Sequence, residues 1–223
     1  MWIKVCGNTN LEDAQFAVEA GADAVGFVFA ESPRRVNTDQ VAKITPHLPD
    51  AIEKYGVFVD AGLDEIAQAV RDSGLNGVQL HVSHDPTLPS HLRERFGPSL
   101  RILQVAHYAQ DLEEQLRALR SKPAIDAVLV DSRTATAAGG TGVRFNWQAA
   151  SHSFLHSASR LRLIAAGGLN AQNVAEVIRT LQPWGVDVAS GVESAPGRKD
   201  PVRVKAFIAA AKMAAEEISA APR

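Results

Sequence analysis

The chain has a single cysteine, Cys6, among 223 residues. One thiol cannot close an internal disulfide, and nothing resembles metal-ligand spacing, so neither staples nor a structural zinc is expected. Long apolar runs are missing as well. The first is interrupted by Lys4 and Asn8, which leaves no secretory h-region after Met1, and none approaches the roughly 18 residues that would span a bilayer. The expected place is the cytoplasm, with no membrane partner. Charge of one sign is equally scarce: 23 Lys and Arg against 25 Asp and Glu leave a net charge of -2, with the basic residues scattered among the acids. That excludes a nucleic-acid footprint and favours a small-molecule partner. With 46% apolar residues the chain is ordinary globular material, and its length suits one domain over residues 1–223.

What is present is a repeating pattern. Ile3-Lys4-Val5-Cys6-Gly7 reads as a first strand that carries the thiol to its C-terminal tip, where Gly7 turns the backbone away. Thr9-Asn10-Leu11-Glu12 has capping-box spacing, with Thr9 and Glu12 as the reciprocal pair of a helix that ends near Ala20-Gly21. Ala24-Val25-Gly26-Phe27-Val28-Phe29 follows as a nearly continuous apolar run, typical of a strand covered on both faces. Further strands are predicted at 55–59, 77–81, 101–105, 127–131, 161–165 and 186–189. Helices are predicted between them at 39–44, 63–73, 88–96, 112–120, 147–155 and 174–181, and a last one at 202–217 opens on Asp200 as N-cap and Pro201 as N1. Four strands are entered by related phrases: Gly21-Ala22-Asp23-Ala24-Val25, Leu75-Asn76-Gly77-Val78, Ile125-Asp126-Ala127-Val128 and Trp184-Gly185-Val186-Asp187-Val188.

Eight alternating units in this length predict an α/β fold, a single (β/α)8 TIM barrel; an open doubly wound sheet would usually need fewer strands or more chain. The connection from Ser132 to Arg144 is long and glycine-rich, which suits a mobile lid or disordered slack, and its place at the C-terminal face favours the lid.

In such a barrel function collects at the C-terminal strand ends. There stand Cys6, Arg34 or Arg35, Asp60, His81, Asp131, Gly167 with Gly168, and Ser190 with Gly191. Cys6 alone reads as readily as a small buried hydrophobe. Asp131 ends an apolar strand, where partial desolvation suits a general acid; the structural alternative is a helix cap or a loop ion pair. Arg34 offers a planar fork to a carboxylate, or is a solvated charge. His81 is a base, a ligand or a satisfied histidine, and no second ligand stands at the spacing a metal needs. The glycines after strands seven and eight are turn formers or a phosphate cradle, and the two pairs together favour phosphate.

Taken together, several motifs resemble one family: Lys4-Val5-Cys6-Gly7-Asn8-Thr9, Gly21-Ala22-Asp23 with Gly26-Phe27-Val28-Phe29, Ser32-Pro33-Arg34, Gln79-Leu80-His81, Gly139-Gly140-Thr141-Gly142 with Phe145 and Trp147, Gly167-Gly168-Leu169, and Gly191-Val192-Glu193 with Gly197-Arg198-Lys199-Asp200. In this order they are similar to the phosphoribosylanthranilate isomerases of tryptophan biosynthesis, over essentially the whole chain. The resemblance implies an Amadori rearrangement of a small phosphorylated substrate, with no cofactor and no metal. It implies Asp131 as general acid, Cys6 as general base, and Arg34, with Asp187 nearby, at the anthranilate carboxylate. His81 and Ser190 join the substrate site, and Gly167, Gly168 and Gly191 line the phosphate site. A monomer and a homodimer both remain open.

Four positions depart from the family pattern: Val82, Asn146, Ala166 and Ala189, the last two removing hydroxyls near the inferred phosphate site. Two other readings stand beside this one. The related isomerase of histidine biosynthesis uses two aspartates, which Cys6 argues against. A non-catalytic phosphosugar-binding barrel would tolerate the lost hydroxyls but has no reason to keep Cys6 and Asp131 together.

Overall fold

The apolar runs condense into eight parallel strands: β1 Trp2–Val5, β2 Ala24–Val28, β3 Glu53–Val59, β4 Gly77–His81, β5 Arg101–His107, β6 Ala127–Asp131, β7 Leu163–Ala166 and β8 Gly185–Val188. They pair in chain order, and β8 closes on β1 through Trp2 against Gly185 to Val5 against Val188, which completes a barrel. The structure is a computed structural model and describes residues 1–81, 85–108, 111–131, 151–152, 154 and 161–220. The Ser132 to Arg144 connection, Val82, Asn146 and most of the helix expected at 147–155 lie outside the described residues. No helix among those described is long and apolar enough to cross a membrane.

Strand alternation sorts the side chains into two cores. Ile3, Val25, Phe27, Leu80, Val128 and Val186 point outward and pack under the helices. Tyr55, Leu103, Val105, Leu129 and Ile164 point inward with Trp2. Both faces are covered, which is why the strands read as continuous apolar runs. Trp2 stacks on Trp184 with ring centroids 5.2 Å apart, next to the β1–β8 seam.

The related phrases at the even strands have a common physical cause. The residue before each one makes a backbone N–H bond to the preceding strand: Asp23 to the Ile3 carbonyl, Asn76 to Lys54, Asp126 to Ile102 and Trp184 to Leu163. In the first three the side-chain oxygen also accepts the N–H of that same partner, at 2.8, 2.6 and 2.7 Å. Each short polar side chain thus fixes the register of an odd–even strand pair, and at the fourth position the Trp2–Trp184 stack stands in its place.

Several boundaries differ from the expected ones. β5 runs two residues further, to His107, and β3 begins earlier, at Glu53, whose carboxylate accepts from Trp2 Nε1 and the Tyr55 hydroxyl. The first cap is shifted by one residue. Asn10, not Thr9, caps the helix Leu11–Glu19, accepting from the Asp13 N–H and donating to its carboxylate, both at 2.9 Å. Thr9 is used elsewhere, donating to the Gly197 carbonyl at 2.6 Å. The second helix is short, Thr38–Ala42, with an Asn37–Gln40 capping box, and gives way to a 3-10 turn at Thr45–His47. The last helix, Pro201–Ala220, opens as expected, with Asp200 accepting the N–H groups of Val202 and Arg203.

Candidate active site

Cys6 follows directly on β1. Its N–H bonds to the Val188 carbonyl of β8 at 2.8 Å, while the N–H groups of Gly7 and Asn8 both reach the Gly26 carbonyl of β2, at 3.0 and 2.9 Å. The strand tip is therefore held from both sides. Gly7 adopts φ 77°, where a side chain would be strained, and a Cβ there would lie 2.6 Å from Arg34 Cδ. Gly26 makes room for the thiol: a Cβ would stand 2.7 Å from Cys6 Sγ and 3.1 Å from Lys4 Cε.

Lys4, one inward position below Cys6, is fully buried. Its ammonium donates to Asp187 Oδ1 and to Gln79 Oε1, each at 2.8 Å, and stands near enough to the Cys6 thiol for each to feel the other's charge. Gln79 Nε2 lies 2.9 Å from His81 Nε2. Asp187, Lys4, Gln79 and His81 thus form one polar chain across the barrel, linking β8 and β1 to β4. Burial opposes the charge on Lys4, but Asp187 and the neighbouring thiol hold its proton above the ordinary lysine value. Burial pushes the Cys6 thiol up, and Asp187 adds to the rise, while Lys4 and Lys199 pull against it.

The second polar cluster lies beside the mouth. Arg34 grips Glu193 through two parallel bonds, Nε to Oε1 at 2.8 Å and Nη2 to Oε2 at 2.6 Å. Lys199 donates to the same Glu193 at 2.9 Å and to the Cys6 carbonyl at 2.6 Å. Burial disfavours a charged Glu193, yet the Arg34 bonds and Lys199 hold its carboxyl below the usual carboxylate range. Arg35 turns outward, 61% exposed, to Glu31, so of the two arginines Arg34 is the one beside the thiol. Its Nε–Nη2 edge is taken by a carboxylate of the chain itself, which leaves Nη1 to meet another anion.

Asp131 stands at the end of β6, 5% exposed, with His107 of β5 and Ala166 of β7 as its register partners. β1 and β6 are separated by β7 and β8, so Cys6 and Asp131 belong to separate parts of the rim. Gly167 and Gly168 follow β7 at φ 90° and 65°. Ser190 and Gly191 open the 3-10 turn after β8. A Cβ on Gly191 would fall 1.8 Å from the Leu169 carbonyl oxygen, so the two glycine turns touch and make one backbone lip. Asp60 sits beyond β3 at φ 53°. Apart from Arg35, the expected strand-end residues therefore lie along one rim of the barrel, with Cys6 and Asp131 on separate parts of it.

Three residues of this rim went unassigned in the sequence. Lys4 and Glu193 were visible only inside resembling motifs, and His107 fell beyond a strand expected to end at 105. The alternation held the clue: with Ile3 and Val5 facing the helices, Lys4 had to face the interior, and an interior lysine requires a buried anion.

The family described as N-(5'phosphoribosyl)anthranilate (PRA) isomerase matches residues 3–210. The chain belongs to the phosphoribosylanthranilate isomerase family. The N-(5'-phosphoribosyl)anthranilate isomerase of Pelobacter propionicus is 44% identical over 211 residues, covering 94% of this chain and 95% of that protein. Among solved structures, the phosphoribosyl anthranilate isomerase of Thermotoga maritima superposes with a TM-score of 0.83 at 37% identity, over 96% of this chain and 99% of that one. A second phosphoribosylanthranilate isomerase structure, solved in complex with reduced 1-(o-carboxyphenylamino)-1-deoxyribulose 5-phosphate, matches with a TM-score of 0.80 at 35% identity over the same shares. The family match begins at β1, the strand that holds Lys4 and Cys6, and extends into the last helix.

Proposed function

We propose that this chain isomerises N-(5-phosphoribosyl)anthranilate to 1-(2-carboxyphenylamino)-1-deoxyribulose 5-phosphate in tryptophan biosynthesis. The observation that carries the reading is a buried thiol beside a buried ammonium at one part of a barrel rim and a buried carboxyl at another, in a chain matched to the family over nearly its full length.

Asp131 protonates the furanose ring oxygen; the C1–O bond breaks and the amine lone pair forms the Schiff base. Cys6 as thiolate removes the C2 proton, and the electron pair moves into a C1–C2 double bond while nitrogen is neutralised. Protonation at C1 and loss of the O2 proton give the ketone, with no net gain or loss of protons. Lys4 supports the thiolate by standing beside it as a cation. The glycine lip of Gly167, Gly168 and Gly191, with Ser190, takes the phosphate through backbone N–H groups, so Ala166 and Ala189 leave the essential donors in place. Arg34, oriented by Glu193, offers Nη1 to the anthranilate carboxylate, while Asp187 acts from below through Lys4. His81, steadied by Gln79, stands at the same rim. The substrate is a small phosphorylated molecule, and the chemistry assigned to these side chains calls on no cofactor.

The direct test follows the fluorescence of phosphoribosylanthranilate as it is consumed. The wild-type chain is expected to turn it over, and Cys6→Ser and Asp131→Asn are expected to remain folded and lose most of that activity. Wild-type kcat in Cys6→Ser would remove the base assignment. An Asp131→Asn protein whose folded fraction is fully active would make that carboxyl structural.

A further inference from the structure

His107 occupies the last inward position of β5, continuing the alternation of Leu103 and Val105, both of which line the barrel interior. Its Cα is in register with that of Asp131, so the two side chains leave neighbouring strand ends on the same face. The Tyr108 N–H bonds to the Asp131 carbonyl at 3.0 Å, holding the two tips at equal height. The imidazole also lies beside His81, with ring centroids 6.1 Å apart. Its backbone is fixed from outside by the Gln115 amide, which accepts from the His107 N–H at 3.2 Å and donates to its carbonyl at 3.1 Å. Within this restrained setting one atom is left over: His107 Nδ1 is buried and, among the described residues, has no hydrogen-bond partner. A buried polar atom without a partner destabilises the fold, and such an atom at the rim of a site calls for a ligand.

The geometry points to His107 as a further substrate-contacting residue, whose Nδ1 completes its hydrogen bond with a sugar hydroxyl beside the ring oxygen that Asp131 protonates. The inference rests on the isomerase reading and adds a residue to the same rim. Adjacent strands lie about 4.8 Å apart, so a group held at Asp131 and one held at His107 are neighbours on one small sugar. A bond to a hydroxyl is present in the ground state and the transition state alike, so its loss falls on KM.

The test compares three variants. His107→Phe keeps the ring volume and removes both nitrogens; it is expected to raise KM about tenfold with kcat nearly unchanged, the effect of one hydrogen bond. Its melting temperature is expected to equal or exceed that of the wild type, because an unpartnered polar atom has gone. His107→Asn, whose amide reaches the Nδ1 position, should restore most of the affinity, and His107→Gln, which mimics Nε2, should not. In 15N-histidine spectra the Nδ1 resonance of His107 should move when the reduced product analogue is added. Wild-type KM in His107→Phe, a still Nδ1 resonance, or a drop in melting temperature that accounts for the lost activity would each overturn the assignment. Failure of the isomerase reading would look different, since the wild-type chain would then leave phosphoribosylanthranilate unconsumed.

Discussion

Cys6 and Lys4 share the space that a side chain at position 26 would fill, so the thiol and the ammonium need glycine there. Gly26→Ala places a methyl 2.7 Å from Cys6 Sγ and 3.2 Å from the Cys6 Cα, and the thiol is the softer of the two contacts. Overpacking of this kind costs about 1–3 kcal/mol, which a barrel of this size survives. The expected result is a folded protein, by thermal melting, with turnover reduced far more than stability. A variant as active as the wild type would show that the thiol position is not critical.

The charge state of the same thiol sets a pH dependence. Burial raises its pKa above the ordinary thiol value, so the thiolate fraction, and with it kcat/KM, should rise with pH on the alkaline side of neutrality. Removing the Lys4 cation takes away the main pull in the other direction, and Lys4→Met should move this rising limb to higher pH. Stability runs the opposite way. A thiol that holds its proton more tightly when folded contributes fully below its unfolded pKa, and the contribution is lost as pH rises through the folded value. Urea titrations should therefore show wild type losing stability relative to Cys6→Ser as pH climbs past the ordinary thiol value.

Among the elements, the two-stranded ribbon after β8, Glu193–Ala195 with Arg198–Lys199, does more than connect the barrel to its last helix. Glu193 joins Arg34 to Lys199, and Lys199 in turn holds the Cys6 carbonyl, so the loop after β2, the tip of β1 and the ribbon are one unit. Removing the shared anion leaves two cations uncompensated, and Glu193→Ala is expected to cost about 3–5 kcal/mol. Because its carboxyl is held below the usual range, its contribution is full above the unfolded carboxylate pKa and is lost as pH falls through the folded value. Chemical denaturation across the acid range should show a steep acid limb in wild type and a flatter one in Glu193→Ala.

This level also shows what a sequence can tell. The strands were legible because both faces are apolar, and helices such as Leu63–Ser73 and Leu112–Arg120 because their apolar stripes face the barrel. Their ends were less so. Asn10 outcompeted Thr9 as cap because Thr9 serves a contact 188 residues away, which no local pattern contains. The place of Cys6, Asp131 and the glycine pairs at the strand ends could be read from the pattern, while their roles came only from the family resemblance. The partners of Arg34 and Lys4, Glu193 and Asp187, come from the far end of the chain and become visible only when the barrel closes.

For the whole molecule, the question is why a barrel interior that could be filled by apolar layers carries Lys4, Asp187, Gln79 and His81 through its middle. A buried ion pair is a weak source of stability, since the cost of removing both charges from water offsets most of their attraction. Breaking it one partner at a time is expensive: Lys4→Met strands Asp187, Asp187→Leu strands Lys4, and each is expected to lose about 3–5 kcal/mol. Replacing both with side chains of similar volume removes both desolvation costs, and such exchanges are often neutral or stabilising by about 1–4 kcal/mol. Here Gln79 Oε1 would lose its donor, a penalty of about 1–3 kcal/mol that brings the double variant back near the wild type. Lys4→Met with Asp187→Leu should therefore unfold in urea close to the wild-type midpoint with an unchanged m-value, while both single variants unfold much earlier. Turnover at neutral pH should fall in all three, because the cation that supports the Cys6 thiolate is gone in two of them and has lost its anchoring carboxylate in the third. That outcome assigns the polar layer to catalysis. A double variant that loses the sum of the two single penalties would assign it to the fold.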